Sequence, residues 1–391
     1  MDAEPTQLHV AGLFAGIGGL ELGFEKAGHV TELLCEIDPA ARQVLTSRFS
    51  RPLESIEEDV RRIDGLPASV DVVTAGFPCQ DLSSTGEKNG IKGSRSSLVG
   101  EVFRLLADRP VEWVVIENVP FMLHLGRGSA MRFITEELER LGYRWAYRVV
   151  DTQAFGLPQR RRRVFFVASQ SNDPRNVVLA DESGPEWNPG DVDTWTLDAP
   201  IGFYWTEGTY STGLAYDSVP PIKGGSTIGI PSPPAILFPD GLVGKPDLRD
   251  AERLQGFPAD WTAPAAEVAR PSFRWRLVGN AVTVDVAEWV GARLASPGAY
   301  DPSEDLPLAE GARWPNAAWS MGRGSFAASG ASQHPCRIPR RGLSTFMEHG
   351  PVPLSEKATR GFLKRAAKGK LRFPKGFLGA LQSHLERVEV T

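Results

Sequence analysis

The 391-residue chain contains no run of about 18 apolar residues. Its first residues, Met1 to Thr6 with Asp2 and Glu4, lack the basic and apolar regions of a secretory leader. Neither a membrane span nor secretion is expected. Cysteine is scarce: Cys35, Cys79 and Cys336 are far apart, with no C-x-x-C pair or matching histidine cluster. This odd, scattered set suggests neither a disulfide framework nor a zinc site, so no metal is expected and a reducing, cytoplasmic setting fits. No internal repeat is visible. Positive charge is also in deficit, with a net charge of −5 that looks wrong for a nucleic-acid binder. The total conceals an uneven distribution, because residues 301–391 carry 14 Lys and Arg against 8 Asp and Glu, leaving 29 against 40 before them. Lys357, Arg360, Lys364, Arg365, Lys368, Lys370, Arg372 and Lys375 fall in one stretch without an acid. Such a block suits phosphate contact, with a solvated helix face as the alternative.

What is present is ordinary globular composition, 41% hydrophobic and 23% charged, over a length that suggests two or three domains. Residues 8–14 read as a buried strand, Ala15 to Gly19 as a glycine turn and Leu20 to Ala27 as a helix. Further strands are expected at Val30 to Cys35, Val70 to Ala75, Trp113 to Ile116, Arg144 to Asp151 and Arg163 to Ala168. Helices are expected at Pro39 to Phe49, Ser97 to Asp108 and Met131 to Leu141. The alternation implies a doubly wound, mostly parallel α/β sheet. Residues 170–246 are rich in Pro, Gly, Ser, Thr, Trp and Tyr and read as a loop-dominated binding surface. Helical pattern returns at Asp247 to Gln255 and Val282 to Leu294. Pro297 to Glu310 looks like a boundary before a basic tail with helices at Glu356 to Lys368 and Phe377 to Val388.

Four features carry chemistry. The turn Phe14-Ala15-Gly16-Ile17-Gly18-Gly19 follows a strand and precedes a helix, with Glu36 ending the next strand. In a parallel sheet this is where a nucleoside-containing cofactor sits, Glu36 being placed like an acid that binds ribose hydroxyls. The spacing G-x-G-G lacks the third glycine of the pyrophosphate fingerprint. Second, Gly76-Phe77-Pro78-Cys79-Gln80 places a thiol at a strand's carboxyl end before a long polar loop, a position for a nucleophile. Third, Glu117-Asn118-Val119 brings a carboxyl to the same sheet edge. Fourth, Gln159 and four arginines precede a strand, where alternation would point Arg161 and Arg163 to one face.

In that order these residues resemble the DNA (cytosine-5) methyltransferase family. The resemblance runs from Leu8 to about Leu294 and includes Asp59-Val60, Pro78-Cys79-Gln80, Arg253-Leu-Gln-Gly-Phe-Pro258 and Gly279-Asn280-Ala281-Val282. It implies the S-adenosylmethionine-dependent methyltransferase fold, with S-adenosylmethionine held by Phe14 to Gly19, Glu36, Ile37, Asp59, Val60, Gly76, Pro78, Asn280, Ala281 and Val282. It implies Cys79 as nucleophile, Glu117 as the group that binds and protonates the base, and Arg161 and Arg163 beside it. Gln80, Ser83 and Arg95 on the loop, with Lys223, Ser226 and Thr227 further on, are the candidate DNA contacts. Ile37 stands where relatives often carry an aromatic, and Gly12 where they often carry Asp.

The implied organisation is a discontinuous catalytic domain of residues 1–169 and 271–297 and a target-recognition domain of 170–270, with a basic helical extension of 298–391 lying outside the resemblance. The implied activity is methylation of a flipped-out cytosine in double-stranded DNA by a monomer, with a cognate restriction or defence complex as candidate partner. An RNA (tRNA) cytosine-C5 methyltransferase and a non-catalytic DNA-binding scaffold are the alternatives. The first typically has Pro-Pro-Cys-Gln where this chain has Phe77-Pro78-Cys79-Gln80, and the second is expected to have lost Cys79, Glu117 or the glycine turn.

Overall fold

The apolar run after Gln7 forms strand β1 (His9–Leu13), buried at four of five positions. It opens a computed structural model that describes residues 6–49, 56–78, 98–185, 189–225 and 232–389. Helix α1 (Gly19–Lys26), strand β2 (Val30–Cys35) and helix α2 (Pro39–Arg48) follow. Pro39 sits in the first turn of α2, and the Asp38 carboxylate accepts from the Ala40 and Ala41 N–H groups that the helix leaves unpaired. Then come β3 (Val72–Ala75), α3 (Leu98–Asp108), β4 (Trp113–Asn118), α4 (Ser129–Arg140), β5 (Arg144–Asp151), β6 (Arg162–Ser169) and α5 (Arg175–Val178). Strands β3 and β4 are buried throughout, as fits strands covered on both faces.

The next segment builds the short strands β7 (Ile201–Phe203), β8 (Ala215–Tyr216), β9 (Ala235–Leu237) and β10 (Val243–Lys245), then helices α6 (Leu248–Arg253) and α7 (Arg274–Asn280). Helix α8 (Val284–Ala295) and strands β11 (Leu306–Pro307), β12 (Ala317–Ser320) and β13 (Ser325–Ala327) come after it. The chain ends with α9 (Leu343–Phe346), β14 (Val352–Pro353), α10 (Glu356–Ala366) and α11 (Phe377–Glu389). Two compact units result, one of residues 1–154, 162–184 and 282–337, the other of 155–161, 185–281 and 338–391.

The first unit is the expected doubly wound α/β body, around a nine-stranded sheet ordered β11-β13-β12-β5-β6-β4-β3-β1-β2. Strands β2, β1, β3 and β4 run parallel, and every pairing from β4 to β11 is antiparallel. Ala11 and Leu13 face a core shared with Val102 and Leu106 of α3 and Ile134 and Leu138 of α4. Gly12 points the other way, toward Glu21 of α1, so helices cover both faces. Helix α8 returns against α1 at Gly23, where a Cβ would lie 2.6 Å from the Val284 carbonyl oxygen.

Residues 298–337 differ from expectation. Pro297 to Glu310 does not end the domain; the chain stays with the first unit and adds β11 to β13 beyond β5. The acidic, Pro-rich composition belongs to a surface crossing fastened by Asp305, which accepts from Tyr300 Oη and Trp319 Nε1. Residues 271–281 likewise group with the second unit rather than the first.

The second unit holds a five-stranded antiparallel sheet ordered β14-β10-β9-β7-β8. Phe203, Leu237 and Val243 pack on Phe362 of α10 and Phe377 and Leu381 of α11. The C-terminal helices lie close to their expected limits, but they complete this core rather than hang from it. Burying each phenylalanine contributes about 2–3 kcal/mol, so the chain cannot shed α10 and α11 without dismantling the unit.

Candidate active site

Three residues of the glycine turn, Phe14, Gly16 and Gly18, have φ of 57°, 58° and 84°. For Phe14 the left-handed backbone costs about 1–2 kcal/mol. It is held by the Ala15 N–H donating to the Cys35 carbonyl at 3.0 Å and by an edge-on contact with the Phe77 ring. At Gly16 a Cβ would meet nothing within 4 Å, so the turn leaves an open cradle there, whereas at Gly18 it would strike the Phe49 ring. Phe14, Ala15 and Gly16 reach the surface; Ile17, Gly18 and Gly19 are buried and serve the turn's shape and its join to α1.

Glu36, at the end of β2, accepts from the Gly16 N–H at 2.7 Å and the Asp38 N–H at 2.8 Å. Burial pushes its pKa up against the pull of those bonds. The chain extends this edge at Glu57, whose N–H donates to the Leu34 carbonyl and whose carbonyl accepts from the Glu36 N–H. That pairing delivers Asp59 to the same end of the sheet. Asp59 is clasped by the Arg61 guanidinium and backbone N–H, which pull its pKa down to about 2. Val60 is buried beneath it, and Ile37 is 64% exposed with no aromatic in its place. An open, glycine-lined cradle with a fixed carboxylate on one side and an aromatic on the other fits a nucleoside-bearing cofactor.

At the neighbouring strand ends, Glu117 is the last residue but one of β4. Arg163 Nε lies 3.0 Å from Glu117 Oε1, both side chains being largely buried. Asn118 Nδ2 donates to the Phe77 carbonyl at 3.0 Å, tying the end of β4 to the turn that follows β3. A Cβ on Gly76 would lie 3.9 Å from both Glu117 Oε2 and Val282 Cγ2, so Gly76, Glu117 and Val282 are neighbours. Pro78 is exposed just beyond. Cys79, Gln80, Ser83 and Arg95, and likewise Ser226 and Thr227, lie outside the described residues.

The structure corrects the expectation that Arg161 and Arg163 work as a pair. Strand β6 begins at Arg162, so strand alternation does not extend to Arg161. Arg161 is buried in the second unit, where its guanidinium donates to the carbonyls of Ile222, Gly279 and Ala281. Two glutamines complete that hub. Gln159 donates to the Leu254 carbonyl and accepts from the Ile222 N–H, and Gln255 donates to the Val278 carbonyl. Asn280 and Ala281 belong to this unit too, Asn280 Oδ1 resting against Gly224. Lys223, expected on DNA, pairs with Glu207 and sits over the Tyr204 ring.

Sequence reading missed Glu21. It is fully buried beneath the turn, accepting from Thr74 Oγ1 at 2.8 Å, and burial raises its pKa to about 7. A Cβ at residue 12 would stand 2.3 Å from Glu21 Oε1, so the glycine where relatives often have Asp makes room for a carboxyl group supplied by α1 instead. The signal was the pairing of Gly12 with Glu21, which only the fold reveals. Among the described residues no group of three or more His, Cys, Asp or Glu side chains is placed to hold a metal, and no helix is long and apolar enough to cross a membrane.

A doubly wound sheet with an open glycine cradle at β1 and β2 and a guanidinium-held carboxylate at β4 has the layout of an α/β enzyme that uses a nucleoside-bearing cofactor. Residues 8–192 match the family described as C-5 cytosine-specific DNA methylase. The chain is 45% identical to the type II methyltransferase M2.BsuMI of Bacillus subtilis (strain 168), across 97% of this chain and 99% of that protein. It is 31% identical to the type II methyltransferase M.NgoBI of Neisseria gonorrhoeae, across 71% of this chain and 89% of the relative. The solved S. pombe Dnmt2 methyltransferase aligns over 74% of this chain and 98% of its own, at 15% identity and a TM-score of 0.49. The chain belongs to the C-5 cytosine-specific DNA methylase family and is a DNA cytosine-5 methyltransferase.

Proposed function

We propose that the chain methylates C5 of a cytosine rotated out of a specific duplex sequence, through a transient bond between Cys79 Sγ and C6 of the ring. One observation carries the reading: the Glu117 carboxylate, held by Arg163, adjoins Gly76 in the turn that leads to Cys79. Cytosine C5 is a poor nucleophile while the ring is aromatic. The Cys79 thiolate adds its electron pair to C6, and the displaced ring electrons gather at C5. Glu117 eases this by holding a proton at N3, on the edge the base uses for pairing. Arg163 fixes the carboxyl group's orientation. After C5 has taken the methyl group it loses its proton to a base, the Sγ–C6 bond breaks, and the electrons restore the double bond. A base stacked in a duplex cannot reach groups at strand ends, so extrusion is required.

S-adenosylmethionine, when bound, supplies the electrophilic methyl group. Phe14 would face its adenine, Gly16 would admit its amino-acid portion without a side chain in the way, Glu36 would hold the ribose and Asp59 the adenine edge. Asp59 would have to share its carboxylate with Arg61, and Ile37 offers no ring to stack, so Phe14 bears more of the adenine contact. The relatives' names support a restriction-modification setting in which this methylation protects DNA from a cognate nuclease.

The test is to incubate the purified protein with unmethylated genomic DNA and S-adenosylmethionine and to map 5-methylcytosine at base resolution. Methylation confined to one short motif is expected. Absence of 5-methylcytosine in DNA together with its appearance in tRNA would overturn the DNA assignment.

A further inference from the structure

The β7–β8 connection closes as a hairpin, with the Tyr204 N–H donating to the Thr212 carbonyl and the Gly208 N–H to the Ser211 carbonyl. Thr209 and Tyr210 form its tip, and Tyr210 is 93% exposed. An aromatic ring left in water at the tip of a braced turn buries nothing within its own chain. The brace comes from the C-terminal segment. Arg365 of α10 donates from Nε to the Glu207 carbonyl at 2.9 Å and from a terminal nitrogen to the Trp205 carbonyl at 2.7 Å. Two glycines allow the turn to lie flush on the helix end. A Cβ on Gly208 would lie 3.2 Å from Arg365 Cβ, and one on Gly369 would lie 2.7 Å from the Thr209 carbonyl oxygen.

The charges around this junction are sorted. Among the described residues Arg360 pairs with Glu356 and Glu389, Arg372 with Asp191 and Asp193, and Lys223 with Glu207. Lys364, Lys368 and Lys370 are exposed and form no ion pair with described residues. Lys364 lies in the last turn of α10, Lys368 follows just beyond the helix, and Lys368 and Lys370 flank the glycine that touches the hairpin tip. The arginines of the basic run therefore build the unit, and the lysines leave a positive surface beside an exposed tyrosine.

We infer that α10 and the β7–β8 hairpin form one DNA-contacting surface, in which Tyr210 meets the duplex, Lys364, Lys368 and Lys370 meet its phosphates, and Arg365 is a positioning residue that holds the hairpin. The inference rests on the DNA reading above and adds to it a role for a segment that lay beyond the family resemblance.

The experiment measures equilibrium binding of the full chain to a labelled mixed-sequence duplex across a salt series, with methylation of genomic DNA followed on the same preparations. Replacing all three lysines by alanine should make the slope of log affinity against log salt shallower by about 2–3, as loss of three phosphate contacts requires. Tyr210→Ala should weaken binding about tenfold with the slope kept, and Tyr210→Phe, which keeps the ring an interface buries, should retain most of it. Arg365→Ala should reproduce the Tyr210→Ala loss, also with the slope kept, while Arg365→Lys recovers part of it; S-adenosylmethionine binding should be unchanged in all of them. Wild-type slope and affinity in both the triple variant and Tyr210→Ala overturn the inference, as does a wild-type protein that does not bind the duplex. A wild-type protein that binds duplex with these dependences but leaves no 5-methylcytosine supports the surface and sinks the enzymatic reading alone.

Discussion

The two units position their residues by different means. In the first, long paired strands satisfy the backbone, so groups at strand ends are set by the sheet: Gly16 after β1, Glu36 after β2, Gly76 after β3 and Glu117 on β4. In the second, strands of two or three residues cannot do this. Side chains take over, and Arg161, Gln159 and Gln255 bind five carbonyls of Ile222, Leu254, Val278, Gly279 and Ala281. Polar residues inside a chemistry-bearing stretch can thus be scaffolding, and Arg161 and Arg163, two residues apart, fall on opposite sides of that division.

The contrast breaks most visibly at the chemistry. Cys79→Ser should remove measurable turnover while duplex binding survives; retained turnover would sink the nucleophile assignment. Glu117→Gln should lower kcat by about 10²- to 10⁴-fold, with the unfolding midpoint close to wild type, and an unchanged kcat would remove the carboxyl group from the reaction. Next is the arginine pair. Arg161→Ala takes the guanidinium away from three buried carbonyls and should cost about 3 kcal/mol in urea unfolding, whereas Arg163→Ala should depress turnover at much smaller cost in stability. The reverse pattern would restore Arg161 to the catalytic set.

Glu21 offers a titration of the first unit. Its folded-state pKa of about 7 lies above the ordinary glutamate value of 4.5, so the unfolded chain releases this proton first as pH rises. Stability linked to the group is complete below about pH 4.5 and falls by about 3 kcal/mol on passing through about pH 7. Glu21→Gln should flatten that slope and be the more stable form above neutrality; parallel pH profiles for the two proteins would show that Glu21 does not carry it. The smallest effect belongs to the cradle. Ile37→Tyr, by supplying a ring to the adenine, should tighten S-adenosylmethionine binding by about 1 kcal/mol, read by calorimetry, and weaker binding would mean that the space beside Phe14 is already filled.

The first unit was legible because its signals are periodic and local. Strands β2 and β5 coincide with the expected limits, the turn and Glu36 follow β1 and β2 as expected, and β4 runs two residues further than expected, taking Glu117 into the strand. What escaped depends on contacts remote in sequence. Nothing near Pro297 announces that Ala317 to Ser320 will pair with Trp145 to Arg148. Nor does the local pattern say that Arg161 turns to the carbonyls of Ile222, Gly279 and Ala281, or that Glu21 fills the space over Gly12. The basic run was visible as charge, but its division into arginines that bind the unit and lysines that form no ion pair with described residues required coordinates.

The return of α8 onto α1 has a consequence for how the protein is made. His29 Nε2 bonds to the Gly291 carbonyl, 262 residues later, and β5 waits for β12 until Ser320 has been synthesised. Residues 155–281, which the ribosome delivers in between, are largely those of the other unit. Folding of the first unit during translation is therefore suspended while residues of the other body are delivered from its middle, and that body in turn waits for α10 and α11. Until residues 282–337 emerge, the nascent sheet has an unpaired edge and an uncovered helix, the surfaces by which incomplete chains associate. Slow translation across the central region lengthens that exposure, and fast delivery of the last third shortens it.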